Sequence, residues 1–362
     1  MRKLNHQELI DILVGATILG TGGGGSLENG IKKIEYALAQ GKEFNLVPIE
    51  ELAPEDIVGT PYSCGAISPL TEEEIKKYAR LPQYEMQYHI MSIENIEKFL
   101  DRPMKAVVST ELGGGNTASA FFAGAMAGKA ILDADPAGRS VPALQHSTYC
   151  LKGVPICPMS LCNKFGESMI VTHVHDDERA EDLVRALAVA SQNTMAVCDH
   201  VHPASMLKDA LILGAISYAE RVGKAFRLAK EQGACYAKAV ADVAGGKFVA
   251  DGVVVSNEWY TEGGYTFGTM EIKSDEDLYR IWYQNENIIM WRNGVYFVTV
   301  PDLICVINNE EKMPQLNPFA RVGCPVSIVV LPAAREWTTP RGLEVFGPRS
   351  FGHDVDYLPY CE

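Results

Sequence analysis

The sequence predicts an α/β N-terminal domain with a partly parallel sheet, followed by a C-terminal region containing a β-barrel or sandwich module. Two observations carry this reading. Residues 106–134 run strand, glycine turn, helix, strand, the order of a parallel crossover. After Lys247 the chain turns to short apolar segments punctuated by Gly, Pro and Asn, the rhythm of an all-β module. The division expected is an α/β domain with glycine-rich loops over residues 1–165 and a C-terminal region over 166–362. The latter comprises a helix-and-strand segment, 166–245, and a β-rich module, 246–362.

Taken in order, Asn5 with Glu8 forms a capping-box start, and Leu9, Ile10, Leu13 and Ile18 give a helical stripe. This helix runs into Leu19-Gly-Thr-Gly-Gly-Gly-Gly-Ser26. A dinucleotide fingerprint needs a strand before such a turn, and a Walker loop needs Lys where Gly25 stands, so neither nucleotide motif is met. The glycines Gly22, Gly23 and Gly24 still permit close approach of a polar ligand group, or simply a tight connection. Ser26 can cap a helix over Leu27–Gln40. Asp56–Ile67 is strand-like, with Cys64 near its end as either a nucleophile or a small buried hydrophobe. Helices are expected from about Glu72 and over Ile93–Leu100.

The central unit follows. Ala106–Leu112 reads as a strand broken by Gly113-Gly114-Gly115. Asn116 or Thr117 can cap a helix to about Gly128, and Ala130–Ala134 is a second strand. A right-handed crossover puts both strand ends at one sheet edge, where open α/β sheets hold ligands. Glu111, Asp133, Asp135 and Arg139 would meet there beside the amides of Gly113, Gly114, Gly115 and Asn116. Plainer roles are turn formation by the glycines, loop capping by the aspartates and pairing of Arg139 with one of them. His146, just beyond, is the candidate acid–base histidine.

Ser168–His175 reads as a strand with His173 and His175 on one face, and Thr194–His202 as another with His200 and His202. Were these strands parallel neighbours, four imidazoles could hold a divalent transition metal such as zinc, with Asp199 or Asp176 nearby as base. Cys150, Cys157 and Cys162 lack compact metal spacing. The segments Asp177–Ser191 and Pro203–Gly233 read as helical.

Composition narrows the function. The 362 residues carry a net charge of −14 and are 47% hydrophobic. That argues against a nucleic-acid or anionic-membrane partner, and the glycine-and-acid edge described above is suited to a small-molecule substrate. No apolar run is of membrane-spanning length, and nine scattered cysteines fit reduced thiols in a cytoplasm.

Several stretches together resemble one family. They are Leu19–Gly25, Glu111–Asn116, Asp133–Gln145, Gln284–Asn287 (QNEN), Val300–Ile304 and Thr339–Tyr357. In this order they are similar to the S-methyl-thiohydantoin desulfurase-like proteins, often encoded near hydantoinases. The resemblance implies a prokaryotic cytoplasmic homo-oligomer with the architecture given above. It also implies water adding at the ring carbon of a thiohydantoin, an S-alkyl thiohydantoin or another small cyclic amide. The resulting expectation assigns water activation to Asp133 or Asp135, oriented by Arg139, ring binding to Gly113–Asn116, and leaving-group protonation to His146. It requires no cofactor. Two alternatives stand beside it: a metal-dependent amidohydrolase using the histidine pairs, and a non-catalytic ligand-binding partner of a hydantoinase.

Overall fold

The computed structural model describes residues 1–65, 72–84 and 86–360. An eight-stranded sheet forms the N-terminal layer. Its spatial order is Arg2–Lys3, Asn45–Val47, Ala130–Leu132, Met104–Val107, Ile57–Gly65, Thr194–Pro203, Met159–Cys162 and Ser168–Val171. Asn45–Val47, Ala130–Leu132, Met104–Val107 and Ile57–Gly65 pair in parallel, and the flanking strands are antiparallel. The crossover Met104–Val107, helix Gly114–Met126, Ala130–Leu132 is therefore present as the sequence implied. Its first strand starts and stops earlier than expected. The Ser109 hydroxyl and the Thr117 hydroxyl both donate to the Glu111 carbonyl, which turns the chain into a loop before Leu112.

The helices on this sheet start where side chains can cap them. Asn5 Oδ1 accepts from Glu8 N at 3.0 Å while Glu8 Oε2 accepts from Asn5 N at 2.7 Å, opening helix His6–Leu19. Ser26 Oγ accepts from Asn29 N and opens Leu27–Ala39. Helix His6–Leu19 packs on Ala215–Glu231, where Gly15 meets Gly223 with no room for a Cβ on either. Their apolar faces join Phe121, Phe122 and Ile131 in the main core.

The structure redraws two stretches. The strand starting at Ile57 is described to Gly65, and the expected continuation to Ile67 lies outside the described residues. Pro203–Gly233 is not one helix: Ile212–Leu213 forms a short strand on Ala134–Asp135, and Gly214, at φ 76°, turns the chain into the helix at Ala215. The first sheet also continues beyond residue 165, since Ser168–Val171 and Thr194–Pro203 belong to it.

The C-terminal layer is an eight-stranded antiparallel sheet, barrel- or sandwich-like but not closed. Its order is Val295–Thr299, Glu286–Arg292, Leu278–Gln284, Tyr265–Lys273, Lys247–Glu262, Pro325–Leu331, Leu303–Asn308 and Met313–Pro314. Tyr279, Ile281, Tyr283, Met290, Val306 and Ile328 fill a second core on one of its faces. Among the described residues, no helix is long and apolar enough to cross a membrane.

Candidate functional site: a cavity between the two sheets

The two glycine turns of the N-terminal layer clasp each other. Gly24 O accepts from Gly115 N at 2.9 Å and from Asn116 N at 3.0 Å, and Gly113 N donates to Thr117 Oγ1. The first amides of helix Gly114–Met126 are thus taken by the other turn, not left for a ligand. Any side chain at Gly24 or Gly113 would force the turns apart. The near half of the first turn receives the C-terminal layer. Asn287 N donates to Thr21 O at 2.8 Å, Asn317 N to Gly22 O at 2.9 Å, and the Glu286 carboxyl occupies the space a side chain at Gly23 would need. Asn317 Nδ2 in turn donates to Asn285 O and Asn287 Oδ1, both at 2.9 Å, so the QNEN hairpin is fixed against the loop.

Beside this junction lies a cavity of about 720 Å³, walled by both layers. Its buried floor holds two carboxylates. Glu111 accepts from Asn116 Nδ2 at 2.7 Å and from Val141 N at 2.8 Å. Glu286 Oε1 accepts from Ser140 Oγ at 3.1 Å, while its Oε2 has no hydrogen-bond partner among the described residues. Burial raises both carboxyl pKa values. Glu286 reaches about 8, with the neighbouring charge of Glu111 as the second cause. Two acids so placed keep a proton at neutral pH.

A histidine dyad stands in the same wall. His200 Nδ1 and Asp199 Oδ1 lie 2.8 Å apart, and Tyr62 Oη donates to Asp199 Oδ2 at 2.8 Å. The imidazole stacks on Tyr149 with centroids 4.2 Å apart, and its Nε2 has no partner among the described residues. Tyr62, Tyr149, Asp199 and His200 all line the cavity. The register against Ile57–Gly65 shifts between Val58 and Thr60, and His200 sits in this irregularity at φ 43°. Strict alternation along Thr194–Pro203 fails there, a bulge that re-aims one side chain. A strained backbone angle at a wall residue is common in functional sites.

The structure disperses the sequence-derived candidates. Asp133 accepts from Ser217 N at 2.8 Å and Ser217 Oγ at 2.5 Å, capping the helix that begins at Ala215. Asp135 is fully buried, accepts from Gly138 N at 2.7 Å, and is pushed up to about 8 by burial. Neither lines the cavity, because Ile212–Leu213 covers this strand end. Arg139 pairs with neither aspartate. It is buried and donates to Ser140 O, Pro301 O, Asp302 O, Thr21 Oγ1 and Asn287 O, stapling the layers together. His146 does line the cavity, but burial takes its pKa down to about 3, so it is neutral and unsuited to donating a proton as an acid. Of the glycine turns, Gly22, Gly23, Gly24, Gly115 and Asn116 border the cavity, whereas Gly113 and Gly114 face the clasp. Cys64 lines it too, with burial pushing its thiol up to about 12, which withholds the thiolate.

The four-histidine arrangement does not assemble. Met159–Cys162 lies between the two histidine-bearing strands, His173 and His175 are exposed beyond the end of Ser168–Val171, and His202 Nε2 binds Pro155 O at 2.6 Å. Among the described residues no three His, Cys, Asp or Glu side chains gather in metal-binding geometry. Sequence reasoning missed Glu286, Asn317 and Tyr62. For Glu286 the signal was the QNEN motif itself, which had been given no role.

Comparison with known proteins agrees with this architecture. The S-Me-THD-like N-terminal domain model matches residues 7–173, and the S-Me-THD-like C-terminal domain model matches residues 175–360. No curated protein matches the chain. A crystal structure of a protein from Chromobacterium violaceum, from a structural-genomics programme, superposes with a TM-score of 0.77 at 22% identity. It covers 99% of this chain and 100% of its own, which shows a shared fold. With both domain models matched in order from residue 7 to residue 360, the chain belongs to the S-Me-THD-like family.

Proposed function

We propose that the chain hydrolyses a small cyclic amide or thioamide, such as a thiohydantoin or S-alkyl thiohydantoin, in the cavity between the sheets. One observation carries the reading. His200 Nε2 and Glu286 Oε2, both buried and without partners among the described residues, belong to the wall of one cavity. Buried polar atoms are normally satisfied, so two unsatisfied ones of opposite acid–base character are best explained by a ligand.

In this mechanism His200 Nε2 takes a proton from water as its oxygen bonds to the ring carbon. Asp199 holds the opposite ring nitrogen and stabilises the imidazolium. As the C–S bond breaks, the protonated member of the Glu111–Glu286 pair gives its proton to the departing sulfur. It is reprotonated by the hydroxyl that becomes the ring carbonyl, while the proton held by His200 passes to the ring nitrogen. From an S-alkyl thiohydantoin and water the products are a hydantoin and a thiol. Asn116 and Ser140 keep the pair aligned through the bonds described above. Asp133 and Asp135 have no part in it.

The test is thiol release from an S-methyl thiohydantoin by the purified chain. Release that is lost in His200→Ala and in Glu286→Gln is the expected result. A ring that binds without turnover would instead favour a non-catalytic binding role and overturn the hydrolase.

A further inference from the structure

The cavity has a second end. Helix Leu27–Ala39 turns one face to it, Ser26, Asn29, Gly30 and Lys33, the i, i+3, i+4, i+7 spacing of a helical stripe. Gly30 makes this possible. It packs against Gly114 O and Ala118, bringing helix Leu27–Ala39 close across Gly114–Met126 and setting Lys33 beside Ser119. Lys33 Nζ donates to Ser119 Oγ at 2.7 Å, Ser119 Oγ lies 3.3 Å from Ser63 Oγ, and all three residues line the cavity. Among the described residues, no carboxylate lies within ion-pair distance of Lys33. The contrast with Arg185, which is also in the wall but paired with Glu181, is direct. Burial lowers the Lys33 pKa to about 8, with no acid nearby to raise it, yet it remains largely charged at neutral pH.

The two ends differ in depth. Glu111, Glu286, Asp199 and His200 are buried, while Gly25, Asn29 and Gly65 near the lysine are exposed. Asn116, which holds Glu111, and Ser119, which holds Lys33, are three residues apart on one helix, a rise of about 4.5 Å. A bare five-membered ring would fill only a fraction of 720 Å³, leaving room for a substituent pointing toward the mouth.

We infer that Lys33, with the Ser119 and Ser63 hydroxyls, binds a carboxylate on a short side chain of the ring, so that the preferred ligands are rings derived from acidic amino acids. The separation fits one or two methylenes between ring and carboxylate. This rests on the cavity being the ring-binding site proposed above, but not on turnover.

Calorimetric titration of the full chain with hydantoin-5-acetate and its neutral amide tests it. The carboxylate is expected to bind about tenfold more tightly than the amide, the scale of one charge-assisted hydrogen bond. Lys33→Met should erase that preference without altering affinity for unsubstituted hydantoin, and Lys33→Arg should retain most of it. Equal affinity for the two probes, a preference that survives Lys33→Met, or no binding of either probe overturns the inference. Preferential binding of hydantoin-5-acetate, with no thiol released from the matching S-methyl thiohydantoin, would sink the hydrolase and leave the carboxylate subsite standing. Equal thiol release from S-methyl thiohydantoins carrying the acetate and its neutral amide would do the reverse.

Discussion

Acids follow two neighbouring parallel strands of the first sheet, and only those after one of them meet a cavity. Asp133 and Asp135 come directly after Ala130–Leu132. There Ser217 takes both oxygens of Asp133 and the turn at Gly138 takes one of Asp135, whose Oδ2 is buried outside the cavity and without a partner among the described residues. Glu111, four residues past Met104–Val107, is joined by Glu286 from the other layer, leaving one oxygen unsatisfied. Position at the edge of an α/β sheet is thus not enough to make a site. What separates the pairs is what covers the edge: a short strand and a helix start over one, open volume over the other.

The comparison can be broken by substitution on each side. The largest effect belongs to the cavity. His200→Ala is expected to lower kcat by about 10²–10⁴-fold, the usual worth of a positioned base, with the folded state intact by circular dichroism. Next comes the staple between the layers. Arg139→Met would strand several buried carbonyls and should cost roughly 3 kcal/mol in chemical denaturation. Asp133→Ala should cost about 1 kcal/mol, the value of a lost helix cap, and leave kcat unchanged. A large loss of turnover from Asp133→Ala with normal stability would reverse the comparison.

The smallest effect is a drift with pH. Glu286 and Asp135 each have a folded pKa of about 8 against open-chain values of 4.5 and 3.8. Between those values the native state holds more protons than the unfolded chain, so stability falls as pH rises. Their contribution is complete below the open-chain values and is lost on passing through the folded ones. His146, with its pKa down at about 3 against 6.5 in the open chain, works the other way at lower pH. Melting temperature should therefore decline between about pH 7 and about pH 8, and less steeply in Glu286→Gln.

Much of the fold was legible because local patterns decide it. The Asn5–Glu8 box, the Ser26 cap and the Met104–Leu132 crossover each depend on residues close in sequence. The candidate site was less so. Glu111, His146 and the glycine turns were identified locally, but Glu286 is 175 residues from Glu111, and periodicity cannot reveal such a pairing. His200 was noticed for the wrong partner. Alternation put it with His202, and the irregularity opposite Val58 and Thr60 turned it to Asp199 instead. The glycine turns misled in an instructive way, since bare backbone that can approach a ligand can also approach another bare backbone.

The placement of Thr194–Pro203 within the first sheet, next to Ile57–Gly65, has a consequence for biosynthesis. A ribosome that has extruded the first 190 residues has made the parallel strands but not their antiparallel neighbour, so a nascent edge stays open meanwhile. The cavity wall is completed later still, once Asn317 has emerged to lock the hairpin down. Products terminated in between should self-associate through that edge rather than accumulate as a working half-molecule.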